Sequence, residues 1–283
     1  MAHSEQRVEL LHTAHMLETD ALFGVDFVPR YGRAAATPNS ELEDLAEELD
    51  GADFQINSRQ STPTAVVEAK PASPKPSDAA ANHPQSADEK SRLLASIRAD
   101  HDAHCPHCTS VTDYTQTVFG DGNPDARLMF IGEAPGEEED RTGMPFVGRA
   151  GQKLNDIISA MGLKREDVYI ANILKARPPG NRTPLQQEVE RCAPFLVKQI
   201  RAIQPDVIVT LGGPATKFLL QTERGITSIR GIWGQYVDDD LVIPVMPTFH
   251  PAYLLRAYTV ENRQKVWSDM QAVLEKLKEL RNG

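Results

Sequence analysis

The sequence predicts an α/β fold of three layers, α/β/α, in which helices cover both faces of a central, mainly parallel four-stranded sheet. Short, almost wholly apolar runs alternate with longer amphipathic segments along residues 91–283. Strands that are apolar throughout are buried on both faces, which is typical of parallel sheets covered by helices. The four predicted strands cover residues 127–132, 168–174, 206–211 and 242–246.

The segments around these strands have apolar residues at helical spacing, which indicates helices that pack one face on the sheet. One helix is predicted before the first strand, and four more follow the strands. They cover residues 91–101, 148–161, 184–203, 214–221 and 260–280. No G-x-G-x-x-G fingerprint and no phosphate loop ending in Gly-Lys-Ser/Thr occurs, which argues against a dinucleotide or nucleoside triphosphate site.

Residues 1–90 differ in composition from the rest of the chain. We interpret residues 1–57 as a weakly ordered acidic extension with a short amphipathic helix over residues 40–49. Residues 58–90 are rich in Pro, Ala and Ser and contain no aromatic residue, so they cannot bury enough apolar surface to offset their ordering entropy. The sequence therefore predicts a disordered acidic N-terminal extension, a linker, and one folded domain over residues 91–283.

Charge and composition exclude several classes of protein. The 283 residues include 30 Lys and Arg against 40 Asp and Glu, but 17 of the acids and only 9 of the bases fall within residues 1–100. The folded part is thus close to neutral and can still bind a polyanion. No apolar run approaches the ~18–20 residues that span a bilayer, and no signal peptide is evident. Three cysteines do not make a disulfide scaffold, so we expect a soluble cytoplasmic protein with no membrane partner.

Polar and aromatic side chains follow the ends of three predicted strands. Glu133 and Phe146 come after the first strand, Asn172 ends the apolar part of the second, and His250 follows the fourth. Because the carboxyl ends of parallel strands meet at one edge of a sheet, we expect these side chains to share a site. Each residue alone has an ordinary structural interpretation, as core, capping residue or solvated turn.

The combination has a chemical meaning that the single residues lack. An amide offers both a donor and an acceptor to the edge of a planar heterocycle, and a phenyl ring stacks on its face. An imidazole stabilises negative charge on a carbonyl oxygen, and a carboxylate orients water or stabilises a cationic sugar. These groups would equip a site to cleave a nucleobase from its sugar after the base is flipped out of the stack.

Residues 105–278 resemble the uracil-DNA glycosylase superfamily, and within it the family 4, iron–sulfur-containing branch. The matching stretches are GEAPGEEED (132–140), PFVGRAGQKL (145–154), YIANILKARPPGNRTP (169–184), ERCAPFL (190–196) and HPAYLLR (250–256). Their order and spacing also match, and none of residues 1–90 takes part. The resemblance implies an enzyme that flips out uracil and hydrolytically excises it from DNA, leaving an abasic site for base-excision repair. It also implies a monomer that acts on DNA of a bacterial nucleoid.

The resemblance assigns roles to residues at matching positions. Phe146 stacks on uracil, Asn172 binds its Watson–Crick edge, and His250 stabilises the charge on O2 of the departing base. Leu254 matches the leucine that wedges into the duplex. Three arginines are candidates for phosphate contacts, with an ordinary surface ion pair as the alternative for each: Arg149, Arg182 and Arg256.

The resemblance offers three candidates for the group that positions the attacking water. In family 1 enzymes the matching motif has an aspartate, where this sequence has Ala134. Glu133 is our first choice for the catalytic carboxylate, followed by Glu139 and Asp140. Gly132 and Glu139 complete the predicted substrate-binding set.

The three cysteines suggest a metal site. Family 4 enzymes hold a [4Fe–4S] cluster with four cysteines, and Cys105, Cys108 and Cys192 match the first, second and fourth of them, whereas Ala176 occupies the third position. The resemblance favours a cluster of structural role whose fourth ligand is solvent or one of three nearby histidines: His101, His104 or His107. Zinc held by the thiolates and one of these histidines, or no metal at all, are the alternatives.

A catalytically weak nucleic-acid-binding module that retains the glycosylase fold is the alternative to an enzyme. The extension before the folded domain is a candidate docking segment for a protein partner.

Overall fold

The structure is a computed structural model that describes residues 86–282. The acidic extension, its predicted helix over residues 40–49 and nearly all of the linker lie outside the described residues. Helix α1, Ala87–His104, includes four residues that the sequence analysis assigned to the linker. The Ser86 hydroxyl accepts the backbone N–H of Glu89, and the Glu89 carboxylate accepts that of Ser86. This capping box starts the helix before its apolar pattern begins.

Within the described residues, six strands form one mixed sheet in the order β1-β3-β2-β4-β6-β5. In chain order the strands are β1 (Asp121–Gly122), β2 (Leu128–Gly132), β3 (Tyr169–Asn172), β4 (Val207–Leu211), β5 (Gly234–Asp238) and β6 (Leu241–Thr248). Strands β3, β2, β4 and β6 run parallel to one another, which confirms the predicted four-stranded parallel sheet.

The two antiparallel edge strands were missed by the sequence analysis. Strand β1 has only two residues, too few for any periodicity. Strand β5 pairs with the start of β6 as a hairpin whose turn is Asp239 and Asp240, with Asp239 at φ 51°. Only Tyr236 at its centre is buried, so β5 lacks the continuous apolar run that marked the other strands.

The five helices predicted for residues 91–283 are all present, and their ends agree to within a few residues. Besides α1, they are α3 (Arg149–Ala160), α4 (Gln186–Ile203), α5 (Gly213–Leu220) and α8 (Val260–Asn282). Three short helices were not predicted: α2 (Glu137–Thr142), α6 (Ile226–Ile229) and α7 (Pro251–Arg256). Helix α2 is formed by the acidic run that includes Glu139 and Asp140.

Two apolar clusters lie on opposite faces of the sheet and confirm the three-layer architecture. Successive side chains of a strand point to opposite faces, so Met129 and Ile131 join one cluster while Leu128 and Phe130 join the other. The first face is covered by α1, α4 and α5, and the second by α3 and α8. Among the described helices none combines the length and the apolar character needed to cross a bilayer.

Candidate active site and metal centre

Gly132, Phe146 and Asn172 come together at the carboxyl edge of the sheet. Gly132 ends β2 and pairs in parallel register with Asn172, which ends β3. A Cβ atom on Gly132 would lie 2.4 Å from Asn172 Oδ1 and 2.6 Å from Phe146 Cζ. A glycine is therefore needed where the amide and the phenyl ring approach the backbone this closely.

Phe146 is held in a strained conformation by its surroundings. Its φ is 51°, a left-handed value that bulky residues rarely adopt. A Cβ atom on Gly151 would lie 2.0 Å from the backbone of Phe146, so the first turn of α3 packs directly beneath the loop. The Arg165 guanidinium donates to the backbone oxygen of Phe146 at 3.1 Å. Such strain is typical of functional sites, where neighbouring structure fixes the conformation.

The Asn172 side chain is an unsatisfied polar group in a buried position. The residue is 1% exposed, and its Oδ1 atom has no hydrogen-bond partner within the described part of the chain. A buried acceptor without a partner costs about 1–3 kcal/mol. The position is therefore expensive unless a ligand supplies the missing donor.

His250 is a neutral imidazole with a defined tautomer. It caps α7, and its Nδ1 accepts the backbone N–H of Ala252 at 3.1 Å, which leaves the hydrogen on Nε2. Burial, and then the charge of Arg256, lowers the pKa of His250 to about 4, with Glu139 opposing the shift. The imidazole ring lies 5.6 Å from the Phe146 ring, centroid to centroid. His250 is thus an uncharged hydrogen-bond donor at the edge where Phe146 and Asn172 meet.

Glu133 follows directly on Gly132 and is half-buried. Its backbone oxygen accepts the N–H of Leu174, which ties the start of the loop to the chain beyond β3. Burial raises the pKa of the Glu133 carboxyl above its ordinary value. A carboxyl group perturbed in this way beside polar ligand-binding groups is a candidate acid or base.

The two other candidate carboxylates are bound to the backbone. Glu139 Oε1 accepts the N–H groups of Val147 and Gly148, each at 2.8 Å, and Oε2 accepts that of Gly136 at 3.2 Å. Glu139 therefore positions the Phe146 loop. Asp140, the third candidate for positioning water, is 4% exposed and accepts the N–H of Thr115 at 2.7 Å.

Of the four residues predicted to contact DNA, two are exposed and two already contact other parts of the protein. Leu254, predicted as the duplex wedge, is 1% exposed, and its side chain packs in the apolar cluster beneath α7. Arg182 forms a two-pronged ion pair with Glu188, at 2.7 and 2.8 Å, which holds the pKa of Glu188 at about 2. Arg149 and Arg256 are exposed at this edge of the molecule.

His101 and the three cysteines form a second, buried cluster. Their donor atoms all lie within 4.8 Å of one another, with His101 Nε2 3.3 Å from Cys108 Sγ and Cys108 Sγ 3.9 Å from Cys192 Sγ. All four residues are between 0% and 2% exposed. Hydrogen bonds with Cys108, and then with Cys192, lower the pKa of the Cys105 thiol, while hydrogen bonds with Cys105 and Cys192 raise the pKa of Cys108. The group is suited to hold a metal ion.

The structure distinguishes among the three histidines that the sequence offered as ligands. His101 alone joins the cysteines in the described residues. His104 is exposed and pairs with Asp100, and His107 is buried outside the group. Ala176 is fully buried against the same apolar cluster but has no donor atom, so the residues do not fit a cluster held by four thiolates.

Two residues that position the site escaped the sequence analysis. Lys175 follows β3, is fully buried, and donates from Nζ to the backbone oxygen of Asn172 at 2.8 Å and to Gln199. The sequence feature that could have identified Lys175 is its position as a charged residue at the end of an apolar run. Arg165 lies far from Phe146 in sequence, and no local pattern connects them.

Comparison with known proteins agrees with the motifs. Residues 119–271 match the Uracil DNA glycosylase superfamily. A type-4 uracil-DNA glycosylase of Thermotoga maritima is 45% identical over 179 residues, which cover 63% of this chain and 92% of that protein. The Archaeoglobus fulgidus type-4 enzyme is 41% identical over 175 residues, 60% of this chain and 87% of its own. A type-5 uracil-DNA glycosylase of Pyrobaculum aerophilum is 29% identical over 184 residues. The fold, the motifs and these matches lead to one conclusion: the chain belongs to the uracil DNA glycosylase superfamily.

Proposed function

We propose that this protein is a uracil-DNA glycosylase that hydrolyses the N-glycosidic bond of deoxyuridine in DNA. The base is flipped out of the stack, uracil leaves, and an abasic site remains as the start of base-excision repair. Membership of the superfamily and the type-4 relatives support the reaction class. The observation that carries the proposal is the buried Oδ1 of Asn172, which has no partner among the described residues and lies against Phe146 and Gly132.

The Asn172 amide is complementary to the edge of uracil. Its oxygen accepts the N3–H of uracil, while its NH₂ group donates to O4. Cytosine has an unprotonated N3 and an amino group at the same places, so both contacts would become repulsive or unpaired. Sites built to hydrogen-bond one partner reject the wrong one strongly, because their buried groups are then left unsatisfied.

Phe146 provides the face on which the flipped base stacks. Base–aromatic stacking is worth about 1–3 kcal/mol, which helps to offset the cost of leaving the duplex. The left-handed backbone of Phe146, supported by Gly151 and Arg165, fixes the ring before substrate arrives. This preorganisation lowers the entropy cost of binding.

His250 assists departure of the base. Uracil leaves as an anion with charge on O2, and the Nε2–H of a neutral imidazole donates to that oxygen as the charge develops. The backbone N–H of Ala252 keeps Nδ1 as an acceptor and so keeps the hydrogen on Nε2. A single donor of this kind is worth about 3 kcal/mol in comparable sites.

Glu133 acts on the sugar side of the bond. As a carboxylate it orients the attacking water and stabilises the oxocarbenium-like sugar. Its partial burial supports this role, because a poorly hydrated carboxylate interacts more strongly with a developing cation. Arg149 and Arg256 hold the DNA phosphates on either side of the pocket, as salt-dependent contacts.

The His/Cys3 group has a structural role in this proposal. His101, Cys105, Cys108 and Cys192 would hold a metal that cross-links the end of α1, the loop after it and α4. None of the chemical steps involves it. We further propose that the protein acts as a cytoplasmic monomer and that residues 1–57 bind a protein partner, which a pull-down with and without residues 1–85 would test.

A base-release assay tests the proposal. The protein is incubated with matched oligonucleotides that contain uracil, cytosine or thymine at one position, and abasic sites are detected by alkaline cleavage. Release from the uracil strand alone is expected, with both single- and double-stranded substrates measured. An inert protein that still binds the uracil strand with Asn172→Ala-sensitive affinity would instead favour the binding module that lacks catalysis.

A further inference from the structure

We propose that His101, Cys105, Cys108 and Cys192 bind a single zinc ion in tetrahedral geometry, with His101 Nε2 as the fourth ligand in place of the thiolate missing at position 176. The centre would then be a Cys₃His zinc site and not a four-iron cluster. This inference is independent of the proposed catalytic activity.

The spacing of the donor atoms matches one ion at their centre. With Zn–S near 2.3 Å and Zn–N near 2.0 Å, a tetrahedron places two sulfurs about 3.8 Å apart and a sulfur and a nitrogen about 3.5 Å apart. The Cys108–Cys192 Sγ separation is 3.9 Å, and His101 Nε2 lies 3.3 Å from Cys108 Sγ. No pair of donor atoms in the group exceeds 4.8 Å.

A four-iron cluster needs a wider cage. Each of its ligands binds a separate iron and lies on the outside of a body of four irons and four sulfides. Donor atoms around such a body must stand farther apart than donor atoms around one ion. The compact arrangement of His101 and the cysteines leaves no room for the sulfides between them.

The orientation of His101 is the one that a metal ligand requires. Its Nδ1 lies 2.8 Å from Asp102 Oδ1, and Asp102 in turn accepts the hydroxyl of Thr117 at 2.9 Å. A carboxylate on one ring nitrogen fixes the hydrogen there and directs the lone pair of the other nitrogen to the metal. Here the other nitrogen, Nε2, faces Cys108.

Local structure brings His101 and Cys105 onto the same side. His101 is in the last turn of α1 and Cys105 caps that helix, a spacing of four residues that places both on one face. Cys192, from α4, completes the group and accepts the backbone N–H of Lys175 at 3.3 Å, a contact that stabilises a thiolate. His101, from α1, thus supplies the ligand that Ala176 cannot, although it lies 75 residues earlier in the chain.

Metal analysis of the untagged full chain gives the first test. The protein is purified anaerobically, and zinc, iron and acid-labile sulfide are measured per chain, before and after incubation with iron and sulfide. The expected result is one zinc per chain, with no brown colour and no sulfide in either sample. Close to four irons with matching sulfide, one iron without sulfide, or no metal at all would each overturn the zinc assignment.

X-ray absorption at the zinc edge tests the ligand set without any mutation. Three sulfur neighbours at about 2.3 Å and one nitrogen neighbour at about 2.0 Å are expected. Four sulfurs, or two nitrogens, would contradict the proposed set. This measurement holds even if a substituted protein fails to fold.

Substitutions identify the histidine. His101→Ala should lower zinc affinity by more than about 100-fold. Removing only the group that hydrogen-bonds to a metal ligand already lowers metal affinity about 10–100-fold. His101→Cys should retain one zinc and change the edge spectrum to four sulfurs. His104→Ala is the matched control on the same helix, since its ring is exposed, and should leave zinc affinity unchanged. A loss in His104→Ala equal to that in His101→Ala would refute the assignment.

Discussion

The ammonium group of Lys175 donates a 2.8 Å hydrogen bond to the backbone oxygen of Asn172. The backbone N–H of the same lysine lies 3.3 Å from Cys192 Sγ. One residue therefore links the metal-binding group with the amide that we propose reads uracil. Through Lys175, the metal-binding group holds the chain that follows β3 in place. It can therefore affect activity even though it takes part in no chemical step.

Loss of the Lys175 ammonium should misplace the amide. Lys175→Met keeps the length of the side chain but leaves the Asn172 and Gln199 oxygens unpaired, at about 1–3 kcal/mol each. We expect a 10- to 100-fold lower kcat/KM on uracil DNA and a matching rise in the inhibition constant for free uracil. Lys198→Met, an exposed lysine paired with Asp100, is the control. An unchanged inhibition constant would show that Lys175 serves stability alone.

Asn172→Asp should change which base is accepted. The carboxylate no longer donates to O4 of uracil but can accept the amino group of cytosine. Uracil release should fall about 100- to 1,000-fold, which corresponds to about 3–4 kcal/mol, and slow cytosine release should become detectable. Asn181→Asp, at an exposed position beyond β3, is the control. Equal uracil release by the Asn172 variant would contradict the recognition role.

A methyl group at Gly132 should close the pocket. In Gly132→Ala the new Cβ would meet Asn172 Oδ1 at 2.4 Å and Phe146 at 2.6 Å, so either group must move. We expect activity to fall at least 100-fold while circular dichroism stays unchanged. Gly213→Ala is the matched control, because a Cβ there meets nothing within 4 Å. Full activity in Gly132→Ala would mean that the pocket lies elsewhere.

Ionisation of the Glu133 carboxyl should control how the rate of uracil release changes at low pH. Because burial raises the pKa of this carboxyl, the rate should fall with decreasing pH through a value above the ordinary ~4.3 of glutamate. Glu133→Gln should lower the plateau rate about 100- to 10,000-fold and abolish this limb. Glu137→Gln, at an exposed position on α2, is expected to leave both unchanged. A limb that persists in Glu133→Gln would assign it to another group.

Ionisation of His250 should not change the rate of uracil release between pH 6 and 9. Its pKa is lowered to about 4, so the ring is neutral throughout that range. His250→Ala should reduce kcat about 100- to 1,000-fold at every pH in the range. The unfolded imidazole titrates near 6.5, so the folded state binds fewer protons between about pH 4 and 6.5. This group's contribution to the free energy of unfolding is complete above about pH 6.5 and is lost as pH falls towards 4. A wild-type limb near pH 6.5 that is missing in the variant would contradict a neutral His250.

Leu254 should matter for stability and not for insertion into DNA. Truncation to Ala at this 1%-exposed position removes core contacts and should lower the free energy of unfolding by about 2–4 kcal/mol. Leu255→Ala, next to it and only partly buried, is the comparison. Chemical denaturation gives the stability, and the two variants at low temperature give the activity. If Leu254→Ala were as stable as the wild type but bound DNA weakly, the result would instead support insertion of Leu254 into the duplex.

Much of this protein was determined by the sequence itself. The apolar runs of β2, β3, β4 and β6 are complete within a few residues each, so local pattern suffices to predict a parallel sheet and its carboxyl edge. The residues at the ends of those strands and directly after them, among them Asn172 and His250, therefore lie at the same edge of the sheet. The family motifs identified the same residues and the superfamily.

The tertiary structure decided what depends on distant contacts. Glu139 and Asp140 accept backbone N–H groups, and Leu254 packs in an apolar cluster, through contacts with residues distant in sequence. His101 was one of three nearby histidines until the fold brought it, and neither of the others, to the cysteines. The spacing of residues in the sequence shows which side chains lie on the same face of one helix or strand. Which of them meet a partner is fixed by how helices and sheet pack, and that arises from the whole chain at once.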